Sequence, residues 1–252
     1  MRYEEDQGPP MFTYAMMAVF IAFFAAQFKG FDLIKFRAFP WRVADGEVWR
    51  LLTATFLHAS VFHIIFNTTL FFRFSTVIDG WLGPWGALLA YVLIASSSNA
   101  MQLLVSSGNE VVGASGVVYG LFGFLWVMSR RRDDAADAAN KYMVETMLIW
   151  LGICAVINFF GGNIGNAAHI WGLLLGWLAG QAFVARKKRK PLMIAAFVVA
   201  WALPIALSQR PIWERTLAYL PSLGQRYERA APVESRKWRE DPDNQERPGT
   251  FP

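Results

Sequence analysis

The feature that most limits how this chain can fold is the length of its uncharged runs. No Asp, Glu, Lys or Arg occurs between Asp79 and Glu110, or between Glu145 and Arg186. A soluble core does not need stretches that long, whereas a membrane span needs about 20 mostly apolar residues. The charged fraction is 17%, against about 25% for an ordinary soluble domain. Seven candidate spans follow, at 11–28, 55–77, 84–105, 115–129, 143–160, 167–185 and 191–208. This predicts an all-α polytopic membrane protein. The single cysteine, Cys154, excludes an intrachain disulfide.

The segment before the first span, "MRYEEDQGPP", is acidic and lacks the positive n-region of a signal peptide, so the first run is expected to be retained. Basic clusters follow the fourth run (Arg130 to Arg132) and the sixth (Arg186 to Lys190). Alternating spans put both on one side, which the positive-inside rule makes cytoplasmic. Residues 1–10 are then cytoplasmic too, and the tail 209–252 lies outside. The segment between the first two spans would also be external, although it carries Lys29, Lys35, Arg37, Arg42 and Arg50. Its apolar pieces suit an interfacial position, with Trp41 and Trp49 at headgroup depth. The tail opens on a short amphipathic stretch, "IWERTLAYL", and becomes charged, Pro-containing and aperiodic beyond about 228, the composition of a disordered segment. Aromatic and basic residues are not interleaved in the manner of a nucleic-acid site, so no nucleic-acid partner is expected. The expected partner surface is the lipid bilayer.

Polar groups are costly in lipid and mark either pairing or function. The second span holds "HASVFHIIFN": His63 and Asn67 share a face, and on a continuous helix His58 lies about 140° round from His63. The fourth opens on "GASG" with Ser115, and Tyr119 follows four residues later. The sixth begins "NAAHIWGLLLGWLAG", with His169 ahead of Gly172, Gly176 and Gly180. These three spans run in the same direction, so their N-terminal ends share one membrane face. Gly116 with Gly120, and the glycine row of the sixth span, have the spacing that lets membrane helices pack closely. Facing each other, the two rows bring Ser115 within reach of His169, a general base for a serine nucleophile. The Ser115 backbone N–H at a helix start, with the His63 and Asn67 side chains, are candidates for an oxyanion site. Taken singly, each feature has a plainer explanation: serine and glycine as packing, a buried His as a polar contact, Tyr119 as core. No acid stands ready as a third member, so the arrangement is a Ser–His dyad. Neither a metal motif nor a cofactor motif is present.

"GASG" (113–116), His58, His63 and Asn67 in H-x4-H-x3-N, "AHxxGxxxG" from Ala168 to Gly176, and "WR" (Trp49, Arg50) resemble the rhomboid intramembrane serine proteases, in the family's order, from about Glu47 to Gly180. The resemblance implies a six-helix core, here 11–185, opening outward, with 191–208 as an additional C-terminal transmembrane helix. It implies Ser115 as nucleophile, His169 as base, and His63 and Asn67 at the oxyanion. Tyr119 would pack on the histidine, and Trp49 and Arg50 would belong to a structural motif of the first loop. His58, Gly113, Gly172 and Gly176 fall in supporting positions. The implied substrate is a single-span membrane protein cut near the outer face of a bacterial cytoplasmic membrane. Two other readings compete. A non-catalytic rhomboid-like binder of client helices is opposed by the presence of both Ser115 and His169, and a His-lined transporter by the lack of an intramembrane carboxylate near the histidines.

Overall fold

The computed structural model describes residues 8–106 and 110–209. The "IWERTLAYL" stretch, the rest of the tail and the acidic residues 1–7 lie outside the described residues. The elements are α1 (Met11–Phe28), α2 (Pro40–Ala44), α3 (Arg50–Thr53), α4 (Val61–Val105), α5 (Ser115–Met128), α6 (Asp133–Ala138), α7 (Lys141–Phe159), α8 (Asn166–Val184) and α9 (Lys190–Leu207), with 3₁₀ turns at Ile34–Phe36 and Ala54–Phe56. Among the described residues the one β feature is an isolated antiparallel bridge between Ala38 and Val111. Helices α1, α4, α7, α8 and α9 are long and apolar enough to cross a membrane, and α5 is shorter.

Helix α4 contains two spans. Gly83 has φ 68° and ψ 174° inside it and is followed by Pro84. Only glycine takes that φ readily, and proline removes the next helical donor. The chain doubles back there. Phe71 and Tyr91 are twenty residues apart, about 30 Å along a straight helix, yet their rings are 6.0 Å apart. The predicted second and third spans are therefore the limbs 61–82 and 84–105, joined through one residue. The first limb also starts later than expected. Residues 54–56 form a 3₁₀ turn, Leu57 is extended, and Ser60 caps the helix by accepting a hydrogen bond from the His63 N–H at 3.1 Å.

Two other helix starts, those of α1 and α8, are held by side chains far away in sequence. The Asp79 carboxylate accepts from the Thr13 N–H at 3.0 Å and from its hydroxyl at 3.2 Å, which satisfies an orphan donor at the start of α1. Gln102 Oε1 accepts from Ala168 N–H at 3.1 Å in the first turn of α8. Helices α5 and α8 pack in parallel with no room between their backbones. A Cβ on Gly172 would lie 2.0 Å from the Gly116 oxygen, and one on Gly176 would lie 1.8 Å from that of Gly120. Phe20, Phe71, Phe74 and Phe122 fill the core around the α4 hairpin. Among the long helices α7 buries only Met147 and Cys154, and α9 only Pro204.

The segment between α1 and α4 is fastened by Arg50. Its side chain is buried and donates to Glu47, to the Ile34 carbonyl at 3.0 Å and to the Arg37 carbonyl at 2.9 Å. Arg37 in turn makes a two-oxygen contact with Glu110 at 2.7 and 2.9 Å, tying this segment to the loop that leads into α5.

Candidate active site

The first turn of α5 carries Ser115, and the first turn of α8 carries His169. Parallel packing sets both at the same end of the bundle. Ser115 Oγ lies 2.8 Å from His169 Nε2, a normal hydrogen-bond length. The face of Tyr119 stacks on the imidazole, with centroids 4.9 Å apart and planes at 25°. The Tyr119 hydroxyl donates to the Met147 carbonyl in α7 at 3.0 Å, which holds the ring in place. His169 Nδ1 is buried and has no hydrogen-bond partner among the described residues. The imidazole is therefore oriented by the stacked tyrosine and the Ser115 contact, and among the described residues no carboxylate bonds to it.

Gly113 shapes the entrance to α5. Its φ is 110°, and a Cβ there would lie 2.7 Å from His63 Nε2. Both facts require glycine. The Gly113 N–H donates to the Ala54 carbonyl at 2.9 Å, which pins the loop. His63 packs directly over Gly113, two residues before Ser115. Ala59 N–H donates to His63 Nδ1 at 3.3 Å, so the neutral ring carries its proton on Nε2, on the side facing the GASG turn. One helical turn further on, Asn67 is buried and its Nδ2 has no hydrogen-bond partner among the described residues. A buried amide donor without an acceptor is costly, and such donors occur where an anion or a polar intermediate is to be held.

The remaining site residues stand further back. His58 lies ahead of α4 instead of on it, so the 140° relation to His63 does not apply. Its ring meets His63 edge-on at 5.1 Å and Phe20 at 5.4 Å, and it buttresses His63 from behind. Gly172 and Gly176 provide the close approach of α8 to α5. Arg50 acts on the backbone of the interfacial segment, and Trp49 beside it is 54% exposed.

Sequence reasoning overlooked the second limb of α4. Ser97, Ser98 and Asn99 are buried in an apolar span. Ser98 fills the space beside Gly116, and Asn99 Nδ2 donates to the Leu51 carbonyl at 2.8 Å. Gln102 holds the turn that carries His169. The signal was "SSSN" within a membrane run, where the cost of polar groups in lipid asks for partners.

The family model described as "Rhomboid domain" matches residues 45–186. The chain is 32% identical to the rhomboid protease GlpG of Haemophilus influenzae over 181 residues, 71% of this chain and 92% of that protein. It is 30% identical to the GlpG of Pectobacterium atrosepticum over 177 residues, 69% of this chain and 63% of that protein. It is 33% identical to the putative rhomboid protease YdcA of Bacillus subtilis over 149 residues, 59% of this chain and 73% of that protein. The chain belongs to the rhomboid family, as a multi-pass serine endopeptidase of the bacterial cytoplasmic membrane.

Proposed function

We propose that the protein hydrolyses peptide bonds of single-span membrane proteins with a dyad of Ser115 and His169. The observation that carries this reading is the 2.8 Å contact between Ser115 Oγ and His169 Nε2 at the start of α5. In this mechanism His169 Nε2 takes the hydroxyl proton as Ser115 Oγ attacks the scissile carbonyl. The tetrahedral oxygen is met by the Ser115 N–H, one of the orphan donors of the helix start, by the His63 Nε2 proton and by the Asn67 amide. His169 then protonates the leaving amine, and water repeats the sequence on the acyl-enzyme.

Depth favours a membrane substrate. Helix α5 has 14 residues, about 21 Å of rise, whereas the hydrocarbon layer is about 30 Å thick. With Arg130 to Arg132 at one boundary, Ser115 falls roughly 10 Å short of the other. A substrate helix has its carbonyls bonded to its own N–H groups, so the segment to be cut must unwind there, and helix-breaking or small residues favour it. The proposed topology has residues 1–10 and both basic turns in the cytoplasm and the tail 209–252 outside. In the external segment Arg37, Arg42 and Arg50 are paired with Glu110 and Glu47.

A serine-reactive fluorophosphonate is expected to label Ser115. Ser115→Ala and His169→Ala are each expected to abolish cleavage of a single-span model substrate while the protein stays monodisperse. Wild-type cleavage by Ser115→Ala refutes the dyad. A cysteine introduced at 131 is expected to resist impermeant thiol reagents added from outside, and ready labelling reverses the topology.

A further inference from the structure

The seventh span contains a proline that leaves a carbonyl without its helical donor. Pro204 is buried in α9, and the N–H it lacks would have bonded to the Ala200 carbonyl four residues earlier. The Ser97 hydroxyl, from the second limb of α4, donates to that carbonyl at 3.3 Å. The Ser97 oxygen also accepts from the Trp171 indole N–H of α8 at 3.1 Å. One hydrogen-bonded chain therefore crosses three helices, from α8 through α4 to α9. Next to it the Trp201 indole N–H of α9 donates to Ser96 at 3.2 Å. Ser97 is fully buried, so its hydroxyl has no water with which to exchange these partners.

Trp171 follows His169 by two residues, about 200° round α8. One side of α8 is pressed on α5 through Gly172 and Gly176, and this indole fixes its rotation from another side. A small turn of α8 about its axis carries the imidazole across Ser115 Oγ without separating the glycine rows. We propose that Ser97 and Trp171 are positioning residues that set the rotation of the His169 helix, and that α9 acts on the active site by offering the Ala200 carbonyl that aims the Ser97 hydroxyl. The inference rests on His169 being the base.

The test measures kcat and KM of the full-length protein on a single-span substrate. Ser97→Ala and Trp171→Phe are each expected to lower kcat about tenfold, short of the roughly 100-fold that a 1 Å misplacement costs, with KM within about twofold. The double variant is expected to be no worse than the worse single one, and Ser97→Thr, which keeps the hydroxyl, to recover most of the activity. Pro204→Ala, which returns a donor to Ala200, is expected to lower kcat in the wild-type background and to be silent beside Ser97→Ala. Unchanged kcat in Ser97→Ala, a multiplied loss in the double variant, or equal effects of Pro204→Ala in both backgrounds would overturn the inference. His169→Ala run in parallel separates the two ideas. If it is active, the dyad itself fails; if it is inactive while Ser97→Ala is normal, only the positioning role fails.

Discussion

Replacing Gly172 by alanine tests the close approach that brings Ser115 and His169 together. The new Cβ would sit 2.0 Å from the Gly116 oxygen and 2.9 Å from its carbonyl carbon, where real Cβ contacts stay at or above 3.0 Å. Both clashing atoms are backbone, so no rotamer relieves the overlap, and α8 must move off α5 by about 1 Å. Gly116 adjoins Ser115, so the gap opens at the level of the dyad. The Oγ to Nε2 distance would grow from 2.8 Å to about 3.8 Å, beyond hydrogen-bond length. A displacement of that size costs roughly 100-fold in rate, about 2.7 kcal/mol of transition-state stabilisation. Overpacking adds about 1–3 kcal/mol of destabilisation. The assay is kcat/KM on a single-span substrate, read beside the rate of fluorophosphonate labelling and the thermal midpoint. Gly152→Ala in α7 is the control, because nothing lies within 4 Å of the added carbon. Gly180→Ala wedges against Val127 and Phe124, about 12 Å further along α8, and should affect activity less. If folded Gly172→Ala protein cleaves within threefold of wild type, close packing at this level does not position the dyad.

Asn67→Ala should lower kcat by about 100-fold or more, as for a lost oxyanion donor, and leave the thermal midpoint unchanged or higher, since Nδ2 has no hydrogen-bond partner to lose among the described residues; normal turnover would remove Asn67 from the oxyanion site. Arg50→Gln leaves the carbonyls of Ile34 and Arg37 without their donors, and at about 1–3 kcal/mol per buried orphan the midpoint should fall by several degrees. Near α6, burial pushes the Asp134 carboxyl up, but hydrogen bonds from Arg132, the Trp81 indole and the Ala135 N–H outweigh it and hold the group below its ordinary 3.8. Its folded-state value is thus lower than its unfolded one, so its contribution to stability is present above about pH 4 and is lost as the pH falls further. Asp134→Asn should flatten the acid limb of a midpoint-against-pH curve, and an unchanged limb counts against the contact.

Much of this was legible because the lipid simplifies the reading. Uncharged runs located the spans, and three histidines and one serine stood out against an apolar background. What stayed hidden were contacts between residues far apart in sequence. Asp79 reads as the end of a span, yet it caps α1 at Thr13. Gln102 and Ser97 are polar residues in an apolar span, and they hold α8 through contacts that sequence spacing does not register. The start of α4 was misread because "TFLHAS" is apolar enough to continue the helix. Ser60 stops it with an extended backbone and a side-chain cap, a local choice that hydropathy does not register. His58 consequently moved from a helix face to a loop.

The parallel packing of α5 and α8 also has an electrostatic consequence. Neighbouring antiparallel helices largely cancel each other's dipoles. Here two helix starts, at Ser115 and at Asn166, meet at one end of the bundle. Each contributes the equivalent of roughly half a positive charge, in surroundings where water screens little. In the proposed reaction this fixed field favours the negative oxygen of the tetrahedral intermediate before any side chain moves. That oxygen and the cationic imidazole arise in the same step, so the site passes from one nearly neutral state to another. With no carboxylate bonded to His169 among the described residues, part of the missing negative partner would in this way come from the substrate.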